Sequence, residues 1–478
     1  MEKLTSDIKE LRERYQNRYR SFRPNRDETI HIDQKVTGES NSQGLIDWEQ
    51  KQSLRRSAIR KILRKKLITK KENEIAEYLV KELIRNGHLP NDEIPECKIS
   101  KTQNLIDKFV FILGHASEKK KNKTKKQLQN WLLDIIVCEI EDTLTPKKEE
   151  LVAEYMSKIM FQRITSDKLE KEEKKIQTYI ASHKALLNPD KSLLTYYLLL
   201  KKLPYWQDPD QEQLINITVD IYSIWEDLRE DLNHSLQKEI YKTCKKFTPI
   251  FQTLEGIIEK KNSEDLLKKP EQLEEKIKEV FRERVNRIKQ EVFKTIVVSV
   301  LGITFLKTVI FLTVENPFTN FPSNWLAIAI NLFAPAALLL FSFLVIEPPR
   351  DQTFHLLTLE IMKLFYGKKK EHYSIQLNSP LKKALVSFYH LSTFFIFSGL
   401  IVLGLYKLSF PLLSLGIFLI IIYLVSFVIY QVQQKIQKEK LSFRSSNLLQ
   451  KITESFAAPL VETQKIIKPF RFFLSRKL

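Results

Sequence analysis

The chain has 478 residues and a formal net charge of +19, with 77 Lys+Arg against 58 Asp+Glu and only ten glycines. So few glycines argue against phosphate-cradling loops, nucleophile elbows and tight β-hairpins, which need positive φ or close backbone approach. The charge is unevenly divided: residues 1–294 hold 58 basic and 50 acidic side chains, whereas residues 295–478 hold 19 and 8 within a far more apolar stretch.

The opening MEKLTSDIKELRERYQ lacks the basic region and apolar run of a secretory signal, so the first half is expected to stay cytoplasmic. Residues 23–45 gather polar and turn-forming side chains without apolar periodicity, and residues 1–50 are read as a mobile N-terminal region.

Residues 51–71, KQSLRRSAIRKILRKKLITKK, carry ten basic side chains and no acid. Leu54, Ala58, Ile59, Ile62, Leu63 and Leu67 form one apolar stripe, so the segment predicts a basic amphipathic helix. Three roles stay open for its cations Arg55, Arg56, Arg60, Lys61, Arg64, Lys65 and Lys66. They can contact anionic lipid headgroups, contact nucleic-acid phosphates, or form the solvated face of a helix docked on a core. The absence of aromatics for base stacking disfavours nucleic acid.

Glu72–Asn86 places Ile75, Leu79 and Leu83 on one helix face and ends at Gly87 and Pro90. Gln127–Leu144 and Leu214–Glu239 repeat the helical pattern, and a lysine block at 117–126 reads as a solvated loop. These patterns predict an all-α first half, with a helical domain over 51–160 and another over 161–294. Leu266–Lys294 is expected to run on into the apolar half as one long helix with coiled-coil character, a rod joining the two halves.

Four apolar stretches are long enough for a bilayer core of about 30 Å: Thr295–Val314, Trp325–Ile346, Ala384–Tyr406 and Pro411–Tyr430. The expected fold is therefore helical cytoplasmic domains followed by a four-helix transmembrane bundle. It comprises hairpin 1 (295–346), a cytoplasmic connector (347–383), hairpin 2 (384–430) and a basic cytoplasmic tail (431–478). The loop after span one has no lysine or arginine and the loop after span three has one, whereas the connector has seven. That asymmetry places both termini in the cytoplasm.

Lys307 sits about 10 Å along the helix from the end of span one. None of the four spans contains an acid, so no carboxylate partner is expected for it. Asn331 and the carbonyl freed near Pro335 are its neutral candidates, beside a snorkelling conformation. His390, in span three, is the third intramembrane polar candidate and is read as interfacial. Ala334, Ala336, Ala337, Ser398, Gly399 and Gly404 suit close helix packing.

Lys184–Pro349, through KALLNPDKSLLTYYLL, DLREDLNHSLQKEIYKTCKKF, RVNRIKQEVFKTIVVSVLGITFLKTVIFLTVE and NWLAIAINLFAPAALLLFSFLVIEPP, resembles an uncharacterised multi-pass membrane family of candidate-phyla bacteria with small genomes. The resemblance implies a prokaryotic cytoplasmic membrane and no particular chemistry.

HExxH, GxSxG, GxxxxGK[ST] and GxGxxG are absent. Cys97, Cys138 and Cys244 form no CxxC pair and read as buried free thiols. No catalytic residue, metal or cofactor is expected, and Asp190, Asp208 and Asp210 read as helix caps more readily than as cation ligands. The expected role is a non-enzymatic scaffold or docking platform with the lipid bilayer, anionic headgroups and an unknown protein as partners. A channel or transporter component using Lys307 and Asn331 is the alternative, and an anchored nucleic-acid-binding protein the second.

Overall fold

The structure is a computed structural model. It describes residues 6–20, 29–32, 48–68, 75–116, 122–145, 147–166, 169–259, 269–319, 325–345, 351–366, 373–374, 396 and 398–437. Among them the chain is all-α but for two two-residue strands, and it divides into two compact units.

The first unit comprises Met1–Lys245, Leu254–Glu264 and Leu364–Ile375. Its helices are α1 (Ser6–Arg20), α2 (Trp48–Ile68), α3 (Ile75–Arg85), α4 (Cys97–His115), α5 (Asn122–Leu144), α6 (Glu149–Arg163), α7 (Lys171–Leu187), α8 (Lys191–Lys202), α9 (Gln211–Leu232) and most of α10 (Gln237–Ile258). Helix α5 lies between α2, α4 and α8, and its Leu128, Leu132, Ile136 and Ile140 are buried in the main core. On α3 the predicted stripe of Ile75, Leu79 and Leu83 faces that core, and Gly87 at φ 69° closes the helix in a left-handed cap.

Local chemistry sets the other boundaries. Glu170 and Glu173 form a capping box on α7, and Asn188 ends that helix at φ 46°. Asp190 and Asp210 accept hydrogen bonds from Leu193 N and Gln213 N at the starts of α8 and α9. The pattern over Leu214–Glu239 breaks at Asn233: α9 stops at Leu232, and His234 accepts from the Leu236 amide before α10 begins. Inside the expected mobile region, α1 buries Ile8, Leu11 and Tyr15 against α6. Residues 33–45 lie outside the described residues. Strand β1 (Ile164–Thr165) pairs in parallel with β2 (Tyr373–Ser374).

The second unit comprises Lys246–Thr253, Asp265–Lys363 and Gln376–Leu478. Its helices are α11 (Pro270–Ile310, 41 residues), α12 (Trp325–Val345), α13 (Asp351–Tyr366, in part), α14 (Ser398–Lys407) and α15 (Leu412–Gln437). Two of them, α11 with its continuation to Phe318 and α15 over Leu412–Ile429, are long and apolar enough to cross a membrane. Trp325–Phe341 and Ser398–Lys407 are shorter apolar helices. The described residues thus hold two span-length helices and not the expected four-helix bundle, since 346–350 and 375–395 lie outside them. His390 falls in the latter segment.

Helices α11, α12 and α15 pack on one another. One cluster joins Val292, Ile296, Leu339, Val425 and Ile429. A second joins Ala327, Leu405, Phe410, Leu415 and Phe418 at the other end of α12 and α15. Gly399 and Gly404, expected at close helix contacts, have open space where a Cβ would lie, so no neighbouring backbone among the described residues needs them.

Candidate functional site: a buried polar cluster in the apolar unit

After Ile310 the backbone of α11 widens into a π-helical turn over Phe311–Glu315 and then resumes for Asn316–Phe318. The turn decides which face Glu315 occupies. In a regular helix of 3.6 residues per turn, positions eight apart are about 80° apart around the axis. One extra residue in the turn makes the eighth position behave as the seventh, only about 20° from alignment. Glu315 therefore returns to the face of Lys307.

The two side chains meet as a fully buried ion pair, Lys307 Nζ donating to Glu315 Oε1. Asn331 of α12, also fully buried, donates from Nδ2 to the second carboxylate oxygen. Thr319 donates its hydroxyl to the Glu315 carbonyl and closes the end of the helix. The Lys307 ammonium lies 6.0 Å from the ring centroid of Phe418 on α15. Asn331 Oδ1 is the one buried polar atom of these three side chains with no partner.

This corrects the expectation that Lys307 has no acid to meet. Composition ends span one at Val314 and makes Glu315 the first loop residue, whereas the helix continues past it. Lys307 and Asn331 are brought together, but through Glu315, which the sequence reading missed. An acid immediately after an apolar run, eight residues beyond a lysine within it, was the available signal.

The cations of the basic segment sit on α2, whose Ile59 and Leu63 are buried in the core of the first unit. Arg55 donates to the His88 carbonyl at 2.9 Å and to Thr145 Oγ1 at 2.7 Å. Arg56 bridges Glu141 at 2.8 Å and Asp190 at 2.6 Å, and Arg60 pairs with Asp134. Arg64 donates to Asn130 Oδ1, and Lys66 lies 3.7 Å from the centroid of the Tyr78 ring. Lys61, Arg64 and Lys65 are exposed. The arginines on the inner edge thus take acids and carbonyls of this unit as partners, and the outer edge presents lysines.

Helix α5 carries two buried carboxylates, Glu139 and Glu141, each with its own partners. Glu141 also takes Lys147 at 3.2 Å, and Glu139 accepts from Lys108 at 2.7 Å and from the Trp206 indole at 3.1 Å. Burial works against the charge on Arg56, yet Asp190 and Glu141 hold its pKa above the ordinary value. Burial pushes Glu139 up against the opposing pull of Lys108. His183, packed between Tyr179 and Tyr197 with Nδ1 on the Tyr179 carbonyl, is lowered by burial to about 4 and is neutral at pH 7.

Among the described residues no group of His, Cys, Asp and Glu is placed to hold a metal ion. Chemically, the Lys307–Glu315–Asn331 cluster neutralises two charges inside an apolar unit and ties α11 to α12. No protein-family model, curated protein or solved structure matches this chain.

Proposed function

We propose that the chain is a four-span protein of a prokaryotic cytoplasmic membrane whose helical N-terminal unit is a docking platform on the cytoplasmic side. The observation that carries the membrane part is an inverted distribution of polarity in the second unit. Val298, Leu301 and Phe305 on α11 are 69%, 66% and 72% exposed, while Lys307, Glu315 and Asn331 are fully buried. In water the apolar atoms would be inside and the charges out; the reverse suits a hydrocarbon solvent.

Two contacts support a hairpin for the first two spans. Phe281, before span one, packs edge-on against Phe354, after span two, with ring centroids 4.8 Å apart. Tyr373 and Ser374 of the connector pair with Ile164 and Thr165. Each contact requires its two segments to lie on the same side of a bilayer, in keeping with the lysine-rich connector being cytoplasmic. The docking part draws on Tyr205, Ile215 and Val219, apolar side chains left exposed on the first unit. The outward lysines of α2 suit anionic headgroups.

Alkaline carbonate extraction of membranes carrying the full chain tests the first part. The protein stays in the pellet on this reading and is released if the apolar unit is only peripheral. Photo-crosslinking from position 215 tests the second, with discrete adducts expected in the parent and none in Val219→Asp. A channel or transporter component is the second reading, favoured by Lys307, Glu315 and Asn331 sharing one buried cluster; it predicts solute flux that Asn331→Leu abolishes.

A further inference from the structure

We infer that Lys307 and Glu315 enter the bilayer as one charge-neutral pair. With Asn331, the pair makes residues 295–345 a helical hairpin that inserts as a unit, ahead of and independently of the later spans. This rests on the membrane reading above and adds to it a mechanism of assembly.

The argument is one of chain distance. Lys307 and Glu315 lie on a single continuous helical segment, so the pair exists as soon as that segment is helical. The remaining carboxylate oxygen is satisfied from position 331, on the next helix in the chain. Among the described residues of the later spans, Phe418 lies 6.0 Å from the ammonium, and its ring offers no hydrogen bond to replace water. Every charge in the hairpin is thus answered by residues 307–331, and neutralisation does not wait for residues 376–478.

The π-turn is the device that permits this. Without its extra residue Glu315 would face about 80° away, and each charge would enter hydrocarbon alone. An unpaired charge near a helix centre shifts the insertion equilibrium by roughly a hundredfold against the membrane, and a neutral pair removes most of that penalty. Asn331 then ties the second helix to the first before the loop between them has to be held by anything downstream.

The test uses the full chain with Ser323→Cys in the loop between the first two spans and a membrane-impermeant maleimide applied to intact cells. The loop of this parent is labelled. Adding Lys307→Leu or Glu315→Leu alone lowers the ratio of labelled to unlabelled chain by at least tenfold. The double variant Lys307→Leu/Glu315→Leu, which carries neither charge, and the exchange Lys307→Glu/Glu315→Lys, which keeps the pair, both return to within about threefold of the parent. Phe418→Leu leaves labelling unchanged. The inference is overturned if either single variant labels like the parent, if the charge-free double is no better than the worse single, or if Phe418→Leu matches the loss of a single. A parent that is not labelled at all overturns the membrane reading instead.

Discussion

The two units bury charge in different ways. In the first, Glu141 is surrounded by three cations, Arg55, Arg56 and Lys147, and Arg56 in turn has both Glu141 and Asp190. In the second, Lys307 has one carboxylate, and that carboxylate has one amide besides. Near water, a group that loses one partner keeps another or recruits solvent. Inside an apolar unit there is neither. Glu141 thus has several partners, whereas Lys307 and Glu315 have one ionic partner each, as the proposed lipid solvent of the second unit would leave them. The comparison yields graded expectations for what happens when one partner is removed.

The largest effect belongs to the pair without a substitute. Lys307→Leu leaves Glu315 buried and uncompensated and lowers the stability of the second unit by about 3–5 kcal/mol, read from the unfolding of the full chain in mixed micelles. Replacing Glu315 by Leu as well brings stability back to within about 2 kcal/mol of the parent, because a buried pair exchanged for apolar side chains is close to neutral and only the Asn331 amide is left without its acceptor. Equal losses in the single and double variants would break the comparison.

In the first unit, Glu141→Leu strands Lys147 and half of the Arg56 bridge and costs about 3 kcal/mol. Arg55→Leu leaves Glu141 with two cations and costs only about 1 kcal/mol, the worth of its hydrogen bonds. Chemical denaturation followed by tryptophan fluorescence separates the two. An Arg55 variant as damaged as the Glu141 variant would remove the case for redundancy.

A third expectation concerns pH. His183 has a folded pKa of about 4 because burial lowers it, against about 6.5 in an unfolded chain. Between those values the unfolded chain binds the extra proton, so stability is complete above pH 6.5 and is lost as pH falls toward 4. At pH 5 the loss relative to pH 7 is about 2 kcal/mol, and His183→Gln flattens that part of the curve. The smallest effect is at the surface: Lys81→Ala removes an exposed pair with Glu77 and changes stability by less than about 0.5 kcal/mol.

Much of this architecture is legible locally. The stripe of α3 and its Gly87 stop, the apolar face of α5, the polarity change along α11 and the caps at Asp190 and Asp210 are all written within a few residues of where they act. What is not legible is long-range or geometric. Arg56 meets Glu141 across 85 residues, and no pattern in either helix names the other. Glu315 joins Lys307 because a π-turn shifts the helix phase by one position, and hydropathy carries no trace of that shift. The basic face of α2 reads as a surface because ten cations without an acid look solvated, yet its inner edge is consumed by acids from α5 and the start of α8.

The most direct test of the central claim, that lipid is the solvent of the second unit, is collision accessibility of a nitroxide at Phe305→Cys in reconstituted full-length protein carrying Cys97→Ser. Cys138 and Cys244 are buried and stay unmodified. The account predicts fast collision with oxygen and almost none with a water-soluble nickel chelate at Phe305, and little of either at Lys307→Cys/Glu315→Leu. A label at Phe305 that meets the nickel chelate as freely as one at the exposed Glu283 would contradict it.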